Sequence, residues 1–428
     1  MKTARIAVIV LCMALLLLPS LGMPLFGPRD SGAEYRVPAD YPAIADESGK
    51  LNADFSGDFE RWLCDHFGFR SAFIHANAWL NYRLLGASAN EQVVAGKGGW
   101  LFFSPTVPDY TGEGRLTQEE LTAIADNLRA FSEAYARRGA RVYLAIIPNK
   151  SSLYPEYMPG RYPMRQDAGN IPLLRAACQA LPLTWIDLVA PLREAAAGER
   201  LIYYKTDTHW NALGAAIAAR ETLSETGATA RGYAVGADVL FRDGDLARLM
   251  GLSGLIEESV PSVVPDAPLP DANYAGRSFT LSGNGEGRLT VFRDSFGTAV
   301  GPWLTDAYGQ CEMIWTSPLE SGHAADDVLV LGCERNIREY LLAEPDLSTM
   351  DAPEPDADNE GDALQRGAFN RDDFEEAEAE DGDDFFDDGE DEDEDEDEDG
   401  DEDEDAPEGG DEDAADDEMA SGRLTYGI

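Results

Sequence analysis

The sequence predicts an α/β protein whose central sheet is mainly parallel and is covered by helices on both faces. Strand-like and helix-like patterns alternate along residues 30–345, as they do in βαβ units. The run VYLAII at 142–147 is apolar at nearly every position, which is typical of a strand that is buried on both faces. A span of this length is sufficient for one large domain.

The first predicted elements are helical. Residues 54–85 carry aromatic and aliphatic side chains at helical spacing, which predicts one long helix. A second helix is expected to begin at Thr117, because Thr117 and Glu120 form a capping-box pattern ahead of an amphipathic stretch. The next elements are predicted in the order strand, helix and strand, at 142–147, 171–180 and 184–188.

The second half of the chain continues the alternation. An alanine-rich helix is predicted over 213–224, and the Pro, Asp and Ser content of 260–274 predicts an irregular surface loop. Three further apolar runs predict core strands at 289–292, 311–315 and 328–331. Because active sites of such sheets lie beyond the carboxyl ends of the strands, we expect functional side chains directly after these runs.

The negative charge of the chain is concentrated at its C-terminal end. The formal net charge is −48, and residues 351–428 contain 39 Asp and Glu against three Arg, a net of −36. Such a segment cannot bury apolar surface and repels itself, so we expect a disordered acidic tail over 351–428. This tail is expected to be passively solvated, with Ca²⁺ binding as the alternative. The excess of negative charge argues against nucleic acid as a partner.

The N-terminus has the pattern of an export signal. Lys2 and Arg5 precede an apolar run over 6–18, which is shorter than the roughly 20 residues of a membrane-spanning helix. Extending the run to Phe26 reaches that length. Residues 1–28 are therefore expected to be a signal peptide or a membrane anchor, which would place the protein outside the cytoplasm.

The cysteines outside this segment do not form a recognisable metal motif. Each lies in an apolar stretch, so we expect buried free thiols. We predict neither a metal nor a cofactor. The residues concerned are Cys64, Cys178, Cys311 and Cys333.

Asp207 and His209 form the first candidate catalytic pair. A carboxylate two residues from a histidine can hold one ring nitrogen, so that the other nitrogen acts as a general base. Ser295 directly follows a predicted strand and is the candidate nucleophile, because a serine hydroxyl attacks only when a base takes its proton. At the start of a helix it would lie beside backbone amides that stabilise an oxyanion. The pattern predicts acyl chemistry, with a solvated loop and a helix cap as alternatives.

Other polar residues follow other predicted strands. Asn149 and Lys150 come after the strand at 142–147, while Arg335 and Asn336 come after the strand at 328–331. These four are candidate substrate contacts or oxyanion donors. Trp210 is a candidate for stacking on a sugar ring, with a position in the core as its alternative.

Several short segments, taken in order, resemble the alginate O-acetyltransferase family of SGNH-hydrolase-like proteins, also described by its D-H-H-W pattern. The resemblance covers residues 50–345, and the segments are specific for the family when they are taken together. Its segments are DHFGFR (65–70), VVAGKGGWLFF (93–103), IIPNKSSLYPEYMP (146–159), YKTDTHWNALGA (204–215), GDLARLMGL (244–252), FRDSF (292–296) and CERNI (333–337).

The resemblance implies a three-layer SGNH-hydrolase-like domain with Asp207, His209 and Ser295 as the catalytic triad, the serine coming last in the chain rather than first. It also implies an exported enzyme that transfers acetyl groups to hydroxyls of a cell-surface or secreted polysaccharide. A multispanning membrane-bound O-acyltransferase would supply the acyl group. We expect no carbohydrate-binding module after residue 345.

Two alternative functions remain open from the sequence. A carbohydrate acetyl esterase would use the same triad, with water rather than a sugar hydroxyl capturing the acyl-enzyme. A non-catalytic glycan-binding or scaffold protein of the cell envelope would use the acidic tail to gather cations.

Overall fold

The computed structural model describes residues 39–45, 49–166, 169–270, 278–315 and 317–348, with scattered positions between 5 and 23. The predicted acidic tail and most of the predicted N-terminal signal or anchor lie outside these residues. Within the part of the chain that is described, no helix is long and apolar enough to cross a membrane. The boundaries 1–28, 30–345 and 351–428 therefore stay predictions.

The centre of the molecule is a six-stranded sheet, and two smaller antiparallel pairs accompany it. The strands are β1 Val93–Ala95, β2 Leu101–Phe103, β3 Arg141–Ile147, β4 Thr184–Ile186, β5 Tyr233–Phe241, β6 Glu258–Pro265, β7 Phe279–Ser282, β8 Arg288–Arg293, β9 Gln310–Ile314 and β10 Asp327–Cys333.

The order of the central sheet is β4-β3-β10-β8-β9-β7. Its first five strands are mutually parallel, and β7 pairs antiparallel with β9 at the edge. The register places Cys333 beside Ile147 and Leu331 beside Arg293. The segments that follow β3, β8 and β10 therefore emerge at one edge of the sheet, as expected for parallel neighbours.

Some helices cover the two faces of this sheet, whereas the helices at Phe55–Asp65 and Arg70–Leu80 belong to neither of its hydrophobic layers. The bounds of the helices are α1 Phe55–Asp65, α2 Arg70–Leu80, α3 Val107–Thr111, α4 Gln118–Ala136, α5 Lys150–Leu153, α6 Asn170–Cys178, α7 Val189–Ala196, α8 Ala212–Thr226, α9 Asp245–Leu249, α10 Phe296–Ala307 and α11 Ile337–Leu341.

Alternate side chains of each central strand belong to different hydrophobic layers. In β3, Tyr143 and Ala145 pack in the layer that contains α8 and α10. Their neighbours Val142 and Leu144 pack in the layer that contains α4 and α6. Because successive strand residues point to opposite faces, a strand that is buried on both sides is apolar at every position. The predicted three-layer α/β architecture is confirmed.

The predicted capping box at Thr117 is present. The Thr117 hydroxyl accepts the backbone N–H of Glu120 at 3.1 Å, and the Glu120 carboxylate accepts the backbone N–H of Thr117 at 2.7 Å. The helical prediction over 54–85 is confirmed for most of its residues, but the segment is not one continuous helix: it is divided into α1, α2 and a π-helical turn at Asn81–Leu85. The division occurs at Phe69, whose φ of 64° lies in the left-handed region.

The loop predicted over 260–274 is also wrong in its first half. Residues 258–265 form β6, which pairs antiparallel with β5, whereas 271–274 lie outside the described residues. β6 contains Pro261 and Pro265. Proline is tolerated here because a two-stranded ribbon consists of edge strands, which need not donate every backbone N–H.

The prediction that the cysteines are buried free thiols is confirmed for three of the four. Cys178, Cys311 and Cys333 are buried free thiols, and Cys64 is an exposed free thiol. Burial of Cys64 was the wrong expectation because α1 buries none of its side chains.

Candidate active site

Asp207 and His209 lie on a tight loop that enters α8. The loop begins where Tyr203 pairs with Trp210, and the Tyr204 N–H donates to the His209 carbonyl at 3.2 Å. After the loop, the Asn211 side chain caps α8 by accepting the backbone N–H groups of Leu213 and Gly214. The loop backbone is therefore closed at its base and tied to the start of a buried helix.

The three predicted triad residues meet at this loop. His209 Nδ1 lies 2.7 Å from Asp207 Oδ1, and His209 Nε2 lies 2.7 Å from Ser295 Oγ. If Nδ1 carries the proton and donates to Asp207, Nε2 is an acceptor for the serine hydroxyl. The order carboxylate, imidazole, hydroxyl is the arrangement that activates a serine for nucleophilic attack.

Ser295 is held at the turn between β8 and α10. It occupies the N-cap position of α10, and the preceding Asp294 accepts the Phe296 N–H at 3.0 Å. Gly297 is needed in the first turn, because a Cβ there would lie 2.6 Å from the Cβ of Arg293. The turn thus brings the serine next to the first amides of a helix, which have no partners within the helix.

Asp207 is fixed through several of its atoms. Its Oδ1 accepts the His209 backbone N–H at 2.9 Å, and its Oδ2 accepts the Asp245 backbone N–H at 2.9 Å. Burial by itself would raise the pKa of Asp207, but the facing imidazole of His209 and these hydrogen bonds lower it. Burial would likewise lower the pKa of His209, whereas the Asp207 carboxylate, with Asp245 beside it, raises that pKa to about 9.

Asp245 is a second carboxylate at His209 that reasoning from the residues alone did not single out. Its Oδ2 lies 3.4 Å from His209 Nδ1, and its Oδ1 accepts the Thr208 N–H at 2.7 Å. The residue stands in the segment GDLARLMGL, one of those that carry the family resemblance. Asp207, His209 and Asp245 have ligand-type atoms within 4.8 Å of one another, but these atoms already bond to each other and to backbone amides.

The Lys150 side chain is hydrogen-bonded to the backbone of the same loop. This side chain is buried, and Nζ donates to the backbone carbonyls of Tyr204, Lys205 and Asp207 at 3.1, 3.2 and 2.6 Å. Burial lowers the pKa of Lys150 to about 8. With its three donors directed at the loop, Lys150 organises the backbone around Asp207 rather than reaching towards a substrate.

Asn149 and Asn336 also make structural contacts. The Asn149 side-chain amide donates to Asp109 at 3.1 Å, and its backbone N–H donates to Glu334 at 3.0 Å. The Asn336 amide donates to Asp294 at 2.9 Å. Both residues therefore tie neighbouring strand ends together at the edge where Ser295 lies.

Arg335 is the predicted residue whose side chain remains available. Its guanidinium lies 5.4 Å from the ring centres of Phe103 and Phe296, and within the described residues it donates to no acceptor and forms no ion pair. Phe296 also contacts His209, with ring centres 4.8 Å apart. The Arg335 cation thus lies close to two aromatic rings, and one of them, Phe296, separates it from the His209 imidazole.

A small cavity of about 10 Å³ lies beside the triad, close to the space that one water molecule requires. Its lining is formed by Phe102, Phe103, Thr106, Asn149, Lys150, Thr208, Phe296, Cys333 and Arg335.

Trp210 does not reach this cavity. It is 1% exposed and packs edge-on against Phe296, with ring centres 5.3 Å apart. The predicted sugar contact at Trp210 is therefore wrong, and its alternative, a position in the core, is the observed one. Trp210 forms the bridge with Tyr203 at the base of the loop, so the burial of its ring anchors the loop and does not expose an aromatic surface.

Residues 93–274 match the sequence model described as "SGNH hydrolase-like domain, acetyltransferase AlgX". The match is a similarity to that domain family and covers less than half of the chain. The resemblance to the alginate O-acetyltransferase family is thereby confirmed. The matched range contains Asp207, His209 and Asp245 and ends before Ser295, so the serine is assigned by the geometry described above.

Curated relatives extend this similarity. A protein of Azotobacter vinelandii named "Probable alginate O-acetylase AlgJ" is 27% identical over 230 residues, which cover 51% of this chain and 57% of that protein. The protein of the same name from Pseudomonas syringae pv. tomato is 28% identical over 175 residues, which cover 41% and 43%. The chain thus spans about half the length of the curated relatives it matches.

Solved structures with some likeness include the O-acetyltransferase domain of Pseudomonas putida AlgJ, at 19% identity and a TM-score of 0.40, covering 61% of this chain and 95% of that domain. Bacillus cereus PatB1 has 15% identity and a TM-score of 0.42, with 59% and 99% covered. Because both scores are below 0.5, the fold assignment rests on the strand order of this chain.

Proposed function

We propose that the chain is an extracytoplasmic O-acetyltransferase that moves an acetyl group through an acyl-serine to hydroxyl groups of a cell-surface or secreted polysaccharide. The observation that carries this proposal is the continuous chain of contacts from Asp207 through His209 to Ser295. Relatives named alginate O-acetylase support acetyl transfer to a polysaccharide.

In the first half-reaction, Ser295 Oγ attacks the carbonyl carbon of the acyl donor while His209 Nε2 takes the hydroxyl proton. The new Oγ–C bond forms, the bond to the leaving group breaks, and the proton on Nε2 passes to that group. Asp207 holds the imidazole in its tautomer and stabilises the imidazolium.

The developing oxyanion needs hydrogen-bond donors close to Ser295. We assign this role to the backbone amide of Ser295, at the start of α10, and to the second N–H of the Asn149 side chain, which borders the cavity. Its first N–H is directed at Asp109, which orients the group.

In the second half-reaction, His209 Nε2 takes the proton of a sugar hydroxyl, whose oxygen attacks the carbonyl carbon of the acyl-serine. The C–O bond to the sugar forms, the bond between the carbonyl carbon and Ser295 Oγ breaks, and the proton on Nε2 returns to Oγ. Arg335 is the residue that we assign to contact with the acceptor or donor, since its guanidinium borders the cavity and has no acceptor among the residues that the structure describes. Lys150 and Asn336 are assigned as positioning residues.

Residues 1–28 would export the protein or anchor it in the membrane, and a membrane-bound O-acyltransferase would supply the acyl group from that side. The acidic residues of 351–428 would bind Ca²⁺ weakly or remain solvated. A calcium titration of the full chain, compared with a chain that ends at residue 350, tests the tail independently of the active site.

The central experiment combines the full chain with an activated acetyl ester and a panel of neutral and acidic oligosaccharides. Mass spectrometry then follows the protein and the sugars. We expect one acetyl group on Ser295 and on at least one sugar. Ser295→Ala should abolish both, whereas Ser282→Ala, a change at an exposed serine on an edge strand, should abolish neither.

Other outcomes discriminate between the alternatives. Acetylated Ser295 with release of free acetate and no acetylated sugar in the whole panel would identify an esterase. Failure of Ser295 to react with any donor or serine-directed reagent would favour a non-catalytic glycan-binding or scaffold protein.

A further inference from the structure

The short helix α9 is docked on the catalytic loop through a close backbone contact. A Cβ at Gly244 would lie 2.2 Å from the Thr206 carbonyl oxygen, so only glycine permits this approach. The Ala247 N–H then donates to the same carbonyl at 3.1 Å. The sequence Gly-Asp at 244–245 therefore places the aspartate at the loop in a single orientation.

The carboxylate of Asp245 makes three contacts with the loop. Its Oδ1 accepts the Thr208 N–H at 2.7 Å, and its Oδ2 accepts the Thr208 hydroxyl. The same Oδ2 lies 3.4 Å from His209 Nδ1. In addition, the Asp245 backbone N–H donates to Asp207 Oδ2 at 2.9 Å, on the carboxylate oxygen that does not face the imidazole.

We propose that Asp245 is a positioning residue for the triad: it locks the Asp207 carboxylate from behind and supplies a second negative charge to the His209 imidazolium that forms during acyl transfer. This inference rests on the proposed acyltransferase function. It assigns to Asp245 a role in acyl transfer in addition to any contribution to the stability of the fold.

The charges around His209 support this role. Asp207 and Asp245 face Nδ1, while the opposite side of the ring contacts Phe296 and the Ser295 hydroxyl. Two cations lie close to this site: the Lys150 ammonium is directed at backbone carbonyls of the same loop, and the Arg335 guanidinium lies 5.4 Å from the centre of the Phe296 ring. Two carboxylates therefore share one imidazole, and this excess of negative charge agrees with the raised pKa of His209.

The electrostatic consequence is specific. During acylation the serine proton moves to Nε2 and the ring becomes cationic while the Oγ–C bond forms. A second carboxylate close to Nδ1 stabilises this cation in a site that is largely shielded from water. The cost is that the ring of the free enzyme is also protonated more readily, so a higher pH is needed to generate the base.

The test removes the negative charge of Asp245 and keeps the size and shape of its side chain. Asp245→Asn is compared with wild type by NMR titration of the His209 ring and by the pH dependence of Ser295 acylation with an activated acetyl ester. We expect the pKa of His209 to fall by about one unit or more. The maximal acylation rate should fall roughly tenfold to hundredfold, since small displacements of catalytic groups have effects of this size.

The matched control is Asp243→Asn. The Asp243 carboxylate contacts the Ser253 hydroxyl at an exposed position two residues away, so its removal should leave the His209 pKa and the acylation rate unchanged. Thr208→Val removes the hydroxyl contact with Asp245 but keeps both carboxylates. We expect it to lower the rate without lowering the pKa of His209 as far as Asp245→Asn does.

An unchanged His209 pKa in folded Asp245→Asn, or a change equal to that in Asp243→Asn, would overturn the inference. If the Asn variant does not fold, Asp245→Ser retains an acceptor for the Thr208 amide and is subjected to the same criterion. If wild-type Ser295 is never acylated, the proposed function fails, and the NMR titration still decides whether Asp245 acts on His209.

Discussion

The side-chain amide of Asn336 donates a hydrogen bond of 2.9 Å to the carboxylate of Asp294, the residue directly before Ser295. The same carboxylate oxygen accepts the backbone N–H of Cys333 at 2.7 Å, while the other oxygen accepts the N–H of Phe296. Asp294 therefore joins the end of β10 to the turn that carries Ser295. This link holds the FRDSF and CERNI segments against each other.

Replacing Asn336 by alanine tests that link. Asp294 keeps its two backbone donors, so we expect a loss of stability of only about 1 kcal/mol, together with slower acylation of Ser295 because the turn is held less firmly. Thermal unfolding and the burst of acylation measure the two effects. Asn81→Ala, which removes hydrogen bonds within a remote helical turn, should leave acylation unaffected; equal rates in both variants would contradict the link.

Lys150→Met should be damaging, although the new side chain has a similar length and remains compatible with burial. Three loop carbonyls lose their shared donor, and unsatisfied buried acceptors cost about 1–3 kcal/mol each before relaxation. We expect destabilisation of about 2–4 kcal/mol in chemical denaturation and a reduced acylation rate at temperatures where the variant is folded.

Lys97→Met is the matched control for this change. Lys97 is exposed and donates to a single carbonyl, that of Glu156, so its loss should change stability by less than about 0.5 kcal/mol. Similar denaturation midpoints for the two variants would show that the carbonyl cluster does not stabilise the loop.

The pH dependence of acylation follows from His209. The base must be neutral to accept the serine proton, and its pKa is raised to about 9. Below that value the neutral fraction falls tenfold for each pH unit, so we expect the second-order acylation rate of the free enzyme to rise with pH and to level off near pH 9. A plateau that begins at about pH 6.5, the unperturbed value for histidine, would contradict the influence of the two carboxylates.

Asp207→Asn should lower the acylation rate by roughly 10³- to 10⁴-fold, because the amide cannot hold the same imidazole tautomer. The plateau of the pH profile should also move to lower pH, because the first carboxylate is lost. Stopped-flow acylation across the pH range measures both effects, and a change in rate without a change in profile would assign Asp207 a purely steric role.

Arg335→Gln should mainly change substrate binding. The guanidinium borders the cavity and contacts Phe103 and Phe296, but it lies on neither proton-transfer step. We expect KM for donor or acceptor to rise about tenfold, with a smaller change in kcat. Arg338→Gln, which instead breaks an ion pair with Glu120, should leave KM unchanged.

The central sheet was predictable because a strand that is buried on both faces appears in the sequence as a short run of apolar residues. The strand at 142–147 is apolar at consecutive positions and the strand at 289–292 is interrupted only by Thr290, so a few residues are enough to recognise their type. The ribbon of β5 and β6 does not show this pattern, since β5 is largely exposed and β6 includes prolines. The break at Phe69 likewise depends on a left-handed residue that helical periodicity does not reveal.

The sequence by itself determined the chemistry that lies within a few residues: a carboxylate and an imidazole on one loop, and a serine between a strand and a helix. Tertiary structure decided which of these groups meet. Ser295 is 86 residues from His209, and Asp245 is 38 residues from Asp207; both contacts are made because separate segments dock on the same loop. Local patterns record short-range backbone preferences, whereas a second carboxylate, a lysine satisfied by three carbonyls and a buried Trp210 depend on which surfaces pack together.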